Sequence, residues 1–376
     1  MSAAFESAGA VKAVERASVA MHRILKGSIN AGASDIHLRA NKPPMVRLEG
    51  ELRRLDHPDL DPRLVDHIRA TLAEYAELPR QRLARRQCDF ACEVPGIGRF
   101  RVHAYQQNKS HALVLRFIPT PIPDFATLRI PPVVKRLTAL QRGLILVTGA
   151  TGNGKSTTIA SLLERVNQEQ ARHVVTIESP IEYLFEERLA TFSMREIGRD
   201  VDDTHAGLLG ALREDPDWIF VGEIRELPEF ELALSAAEAG HVVVSSLHAQ
   251  DSVRAIQRMI HFFPEGQRDG VRQRLADSLA AIISQRLVAR RGAVDRVLVT
   301  ELLMRSPTVQ DCIRDPNRLR GLSKALDAGA SEYGTHSFDH QLYQLVRDGV
   351  VDVDVARAAA SNPNDLVRAF KMGKRR

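Results

Sequence analysis

The residues Gly149-Ala150-Thr151-Gly152-Asn153-Gly154-Lys155-Ser156 satisfy the spacing G-x4-G-K-[ST]. Glycines at these positions let the backbone curl until successive N–H groups point at phosphate oxygens, and a helix starting at Lys155 adds the positive end of its dipole. Lys155 is expected to reach the β- and γ-phosphates of ATP, Ser156 to set its hydroxyl on Mg²⁺, and Thr157 to line the nucleotide beside them. The motif follows the apolar run GLILVT and precedes an amphipathic stretch, TIASLLERVN. That strand–turn–helix setting separates a phosphate cradle from a chance glycine-rich turn.

A cradle binds without hydrolysing, so carboxylates are needed to hold the metal and orient water. The run DWIFVGEIR ends in Glu223, with Gly222 where an aspartate more usually sits, which gives Glu223 the metal-side role. VVTIESPIEY carries Glu178 and Glu182 on either side of Pro180, and either could polarise the attacking water. VVVSSLH closes with Ser245, Ser246 and His248, a histidine placed to sense the γ-phosphate. Away from a phosphate loop, each of these side chains would read as an ordinary loop or surface group.

The elements that must position these groups follow from the hydrophobic periods. Residues 1 to about 30 repeat apolar side chains every three or four positions, at Val11, Val14, Val19, Met21, Ile24 and Leu25, and read as helix. From SDIHLRA through LEGELRRL the period shortens toward two. A helical stretch over Pro62 to Arg86 follows, then strands in CDFACEV and GRFRVHAYQQNKSHALVLRFI. This α+β module spans residues 1–118. The proline-containing segment 119–132 reads as a stiff connector. Residues 133–376 alternate strand and helix, which implies a parallel sheet of the α/β class. From about Gly270 the chain reads as mostly helical, broken by the strand-like RVLVTELLM.

Composition narrows the class of protein. With 376 residues, 44% hydrophobic and 26% charged, the chain is globular and long enough for two domains. No apolar run approaches a membrane span, and the N-terminus lacks the apolar centre of a secretory signal, so a cytosolic protein is expected. Cys88, Cys92 and Cys312 are too few for a disulfide framework, and the C-x3-C pair has no further ligands nearby to make a zinc site. The net charge of +5, with 5% aromatic residues, offers no stacking platform for nucleic acid, and none is expected as a partner. The basic runs PRQRLARRQ and KMGKRR read as solvated faces or as contacts for acidic partners or phospholipid.

Taken in order, GATGNGKST, TIESPIEY, LREDPDWIFVGEIRE and GHVVVSSLHAQDSVRAIQRM resemble the Walker A, acidic "Asp box", atypical Walker B and "His box" of the secretion-type hexameric ATPases, and within them the type IV pilus retraction motors. SDIHL, PPMVRLEG and GRFRVHAY resemble that family's PAS-like N-terminal domain. The resemblance covers about residues 20 to 365. It implies a RecA-like P-loop core behind a smaller PAS-like α+β domain, with Glu223 as the Walker B glutamate and Glu182 as the Asp-box base. It makes His248 the sensor with His241 its companion, and makes Arg99, Arg101 and Arg116 the arginines that reach a neighbour's nucleotide. Departures are Ser179 and Glu226 in place of aspartates, Asn108 in place of an arginine, Ala249 and Gln257 in the His box, and TVQDCIRD (Thr308 to Asp315) in place of the retraction signature AIRNLIRE.

The resemblance implies an ATP- and Mg²⁺-using homo-hexameric motor for pilin disassembly and twitching motility. It would be cytoplasmic, peripheral to the inner membrane, and engaged with a platform protein and a paralogous motor ATPase. Alternatives are an accessory retraction ATPase, a pilus-assembly or type II secretion ATPase, and a non-catalytic motor scaffold. Assembly and secretion ATPases commonly carry a longer N-terminal region and a four-cysteine zinc insert, and neither is present in this sequence.

Overall fold

A computed structural model of the chain describes residues 17–293 and 295–373. Contacts divide the chain into two compact units, Met1–Pro121 with Ser179–Leu184, and Ile122–Glu178 with Phe185–Arg376. The main break lies between Pro121 and Ile122. The unexpected feature of the division is the six-residue segment Ser179–Leu184, which carries Glu182 and belongs with the first unit.

The first unit is built on one antiparallel sheet. Its strands are β1 (Asp35–Arg39), β2 (Met45–Leu48), β3 (Glu51–Arg54), β4 (Gln87–Val94), β5 (Gly98–Gln107) and β6 (Ser110–Ile118), in the spatial order β3-β2-β1-β6-β5-β4. Alternation sets its faces, because Phe100, Val102 and Ala104 of β5 enter the core while Arg99, Arg101 and His103 take the other side. Helix α1 (residues 17–30) buries Met21, Ile24 and Leu25 in that core and leaves Val19 exposed. Val11 and Val14 lie outside the described residues, as do the last three residues of the basic tail. The helix expected over Pro62 to Arg86 is two helices, α2 (Pro62–Tyr75) and α3 (Arg80–Leu83), because Glu77 takes φ 49° just before Pro79. Cys88 and Cys92, four apart on β4, share one face and pack in the same core. Burial pushes the Cys92 thiol up to about 12 and keeps it protonated. Asn108 and Lys109 form the two-residue turn between β5 and β6 with φ 43° and 61°, a conformation asparagine tolerates well.

The second unit holds a sheet of mostly parallel strands: β7 (Gly143–Thr148), β8 (His173–Glu178), β9 (Thr191–Glu196), β10 (Trp218–Glu223), β11 (Val242–Leu247), β12 (Leu279–Ala289) and β13 (Arg296–Met304). Their order is β13-β12-β7-β11-β10-β8-β9, and only β12 with β13 is antiparallel. β7 is buried at every position, which is why its sequence is a continuous apolar run rather than an alternation. The expectation of a mostly helical chain after Gly270 misses β12. LAAIISQRLVA is apolar over most of its length, and a run buried on both faces has no period to distinguish strand from helix.

Helices α4 (Lys155–Glu169), α5 (Thr204–Ala211), α6 (Leu227–Ala239), α7 (Ser252–His261), α8 (Arg268–Ser278) and α9 (Pro307–Arg314) follow or join these strands. Leu144, Val175, Ile219 and Val243 from the sheet share a core with Phe230 and Leu234 of α6, Ile256 of α7 and Leu275 of α8. Further along the chain, α10 (Leu322–Ala328), α11 (Ala330–Tyr333), α12 (Phe338–Arg347), α13 (Val353–Ala359) and α14 (Pro363–Gly373) follow. Phe338, Leu342, Ala356 and Leu366 of this last group pack on Val288, Val297 and Val299 of β12 and β13. Among the described residues no helix is long and apolar enough to cross a membrane.

Phe90 is fully buried in the first unit's core. Phe90→Ala should cost that unit about 3–5 kcal/mol, read as a lowered denaturation midpoint with little change in the slope.

Candidate functional site

Parallel register brings the candidate site residues to one edge of the second unit. Thr148 at the end of β7 is paired with Leu247 at the end of β11, Glu223 of β10 with Ser246, and Ile177 of β8 with Val221. The chain therefore leaves all four strands on one side of the sheet, where ligands of open parallel sheets bind. The phosphate loop begins at Gly149, His248 follows Leu247, and Glu178 and Glu223 are the last residues of their strands.

Within the loop Gly149, Gly152 and Gly154 take φ 146°, 82° and 82°, a region that side-chain-bearing residues avoid. A Cβ on Gly149 would also stand 2.6 Å from the backbone oxygen of Gln285. Lys155 folds back so that its Nζ donates to the carbonyls of Gly149 at 3.0 Å and Ala150 at 3.1 Å. Ser156 and Thr157 lie in the first turn of α4, whose preceding residue is Gly154. Ala150, Thr151 and Gly152 are exposed, while Asn153 is half-buried and ties the loop to β12 through its amide. The donor set fits a polyphosphate: open backbone N–H groups, an ammonium and a helix N-terminus. For Mg²⁺ the chain offers the Ser156 hydroxyl and the Glu223 carboxylate, which are hard oxygen donors of the kind this ion takes.

Glu223 is the hub of the edge. Its Oε2 accepts from Arg225 Nε at 3.0 Å and Nη2 at 2.9 Å, and its Oε1 lies 3.4 Å from His248 Nε2. The register between β10 and β11 shifts between Val221 and Glu223, and the Ser246 hydroxyl donates to the Gly222 carbonyl at 2.5 Å. A Cβ at Gly222 would meet the Ile177 carbonyl at 3.5 Å and the Glu178 Cα at 3.6 Å, ordinary contact distances, so space alone does not require glycine there. Glu178 itself is 8% exposed at the end of β8, beside Glu196 of β9.

Ser245 is buried and Ser246 half-buried on β11. His241 does not join this group. It precedes β11 at the opposite edge of the sheet and its Nδ1 pairs with the Ala236 carbonyl, closing the end of α6. Glu226 is the N-cap of α6, and its backbone N–H, with that of Arg225, donates to the Glu229 carboxylate. Ala249 is buried in the main core.

In the first unit, register puts Arg101 of β5 directly beside Arg116 of β6, with Arg99 two positions along the same strand face. Arg99 departs from the expected free finger. It is 9% exposed, and its Nε and Nη2 donate to the carbonyls of Glu182 at 2.9 Å and Ile181 at 2.7 Å. Backbone carbonyls are strong acceptors that a buried guanidinium must find, so Arg99 holds the Ser179–Leu184 segment in place. Arg101 remains half-exposed with an Nη1 3.9 Å from Glu182 Oε1. Arg116 is paired with Asp35 at 2.9 Å. Glu182 thus sits with the first unit's arginines, while Lys155, Ser156, Glu178, Glu223 and His248 belong to the second.

Arg225 and Gln285 escaped the sequence reading. The GEIR segment contained a signal for Arg225, a cation two residues from the carboxylate it holds. Gln285 had none, because β12 was not recognised.

The sequence profile of the family described as Type II/IV secretion system protein matches residues 12–314. The type IV pilus retraction ATPase PilT of Pseudomonas aeruginosa is 37% identical over 352 residues, covering 91% of this chain and 98% of that protein. The type IV pilus ATPase PilU of the same organism is 35% identical over 355 residues, covering 93% of this chain and 91% of that protein. A crystal structure of the pilus retraction motor PilT with bound ADP superposes with a TM-score of 0.82 at 40% identity, covering 92% of this chain and 98% of that one. The second unit's sheet is accordingly the RecA-like sheet of the secretion ATPases.

Two substitutions test the edge. Gly149→Ala should weaken ADP binding at least about tenfold, read by titration with a fluorescent ADP analogue, since the new methyl meets backbone rather than a movable side chain. Glu223→Gln should leave ADP binding within about threefold of wild type while lowering ATP turnover about 10²–10⁴-fold in a phosphate-release assay.

Proposed function

Because the chain belongs to the Type II/IV secretion system protein family, we propose that it is an Mg²⁺-dependent ATPase motor that drives retraction of type IV pili and, through it, twitching motility. The observation that carries this reading is likeness to a retraction ATPase across nearly the whole of both chains, together with an intact phosphate loop.

In this reading the backbone of Gly149 to Gly154 cradles the phosphates, and Lys155 leaves its own loop carbonyls to bind the β- and γ-phosphate oxygens. Ser156 and Glu223 would hold Mg²⁺, which would supply positive charge to the phosphate oxygens. Glu182 or Glu178 accepts the proton of the attacking water. The water oxygen forms a bond to the γ-phosphorus as the bond to the β-bridging oxygen breaks, releasing ADP and phosphate. His248, close to the Glu223 carboxylate, reports the presence of the γ-phosphate. Arg101 and Arg116 lend positive charge to a neighbouring subunit's nucleotide, a contribution of up to about 10³–10⁵ in rate for an arginine finger.

Such a contribution requires a ring, so the working form is a homo-hexamer with head-to-tail contacts. Its site of action is the cytoplasmic face of the inner membrane, on a pilus platform protein, in company with a paralogous motor ATPase. An accessory retraction ATPase is the second reading, favoured by comparable likeness to PilU. The substituted retraction signature does not weigh against a motor. On α9 its buried positions are Val309, Cys312 and Ile313, all apolar, so the packing face of AIRNLIRE is preserved.

The direct test counts surface pili in cells lacking the protein. Excess, immobile pili returned to normal by wild type and not by Lys155→Ala are expected. Bald cells would make it an assembly motor, and unchanged pili would overturn the retraction reading.

A further inference from the structure

β12 runs beside β7 in parallel, and two of its consecutive residues grip the phosphate-loop region at three points. The hydroxyl of Thr148, the last residue of β7, donates to Ser284 Oγ at 2.9 Å. Inside the loop, Asn153 Nδ2 donates to the Gln285 carbonyl at 3.0 Å. In the first turns of α4, Thr158 Oγ1 accepts from Gln285 Nε2 at 2.6 Å, in the buried interior. The Gln285 carbonyl is also the group that forbids a side chain at Gly149, at 2.6 Å from its Cβ position. Gln285, fully buried and about 130 positions from the motif, therefore holds Asn153 inside the loop and Thr158 in the helix that follows it, with its carbonyl against the Gly149 position.

Packing does not explain an amide here. Gln285 Oε1 is buried with no hydrogen-bond partner, an arrangement burial penalises, and a methionine would fill similar space without the orphaned oxygen. The Nε2 donor is what a methionine would lack, and among the described residues it donates to the Thr158 hydroxyl. The neighbouring contacts point the same way. Ser284 also lies 3.4 Å from Ser252 Oγ at the start of α7, four residues after His248, so the strand links the cradle to the far side of the edge.

We propose that Gln285 is a positioning residue of the nucleotide site, fixing the curl of the phosphate loop by holding Asn153 with its carbonyl and Thr158 with its side-chain amide. The inference rests on the reading of the loop as an ATP site. Gln285 touches no reacting atom and acts by keeping the loop N–H groups convergent, so its loss falls on nucleotide affinity and KM more than on kcat.

The test uses the full chain as wild type, Gln285→Met, Thr158→Val and the double variant. The readouts are Mg²⁺-dependent affinity for a fluorescent ADP analogue, steady-state ATP kinetics, and the melting temperature without nucleotide. Each single variant should bind ADP about five- to tenfold more weakly, with KM for ATP raised by a similar factor and kcat within about threefold. The double variant should be no weaker than the weaker single, because both remove one bond. ADP affinity within twofold of wild type in Gln285→Met, or losses that multiply in the double variant, would overturn the proposal. Should Gln285→Met fail to fold, Thr158→Val breaks the same bond while keeping its shape, and unchanged ADP affinity there overturns it equally. Failure of wild type to bind ADP at all would instead sink the reading of the loop.

Discussion

Parallel pairing of β7 with β11, and of β10 with β11 and β8, is the constraint on which the site depends. Residues separated by as many as a hundred positions come to one edge because each strand runs the same way and ends in register with its neighbours. The phosphate loop then needs only glycine conformations to curl there, and the carboxylates need only be the last residues of their strands. Nothing at the edge requires a long loop, and the hub contact between Glu223 and His248 follows from neighbouring strand ends.

The charges at this edge are held rather than loose. Lys155 rests on its own loop carbonyls and Glu223 on Arg225. Both arrangements satisfy a charged group with local partners that a polyphosphate and a divalent cation can replace. The same logic, with the opposite outcome, applies to Arg99. Its two carbonyl acceptors and near-complete burial make it a fixed structural tie for the segment that carries Glu182.

The phosphate loop, the carboxylate-bearing strand ends and the alternation of strand and helix were legible, because glycine spacing and uninterrupted apolar runs are local signals. Four features were not. β12 hid in a run apolar on both faces, and with it went Gln285. The allegiance of Ser179–Leu184 to the first unit depends on Arg99, some eighty residues away, and no local pattern encodes such a partner. Asn108 reads as a missing arginine until its positive φ makes it a turn residue. His241 matched a motif in order yet lies at the wrong end of its strand, since order along the chain does not say which edge of a sheet a residue occupies.

The central claim is that this edge hydrolyses ATP with the help of a divalent cation. It is tested most directly by the initial rate of phosphate release from the assembled full-length protein, titrated with Mg²⁺, for wild type beside Lys155→Ala. Saturable turnover that requires Mg²⁺ and falls at least about a hundredfold in Lys155→Ala is predicted. Turnover that survives the substitution, or an assembled wild type that releases no phosphate at any Mg²⁺ concentration, would contradict the account.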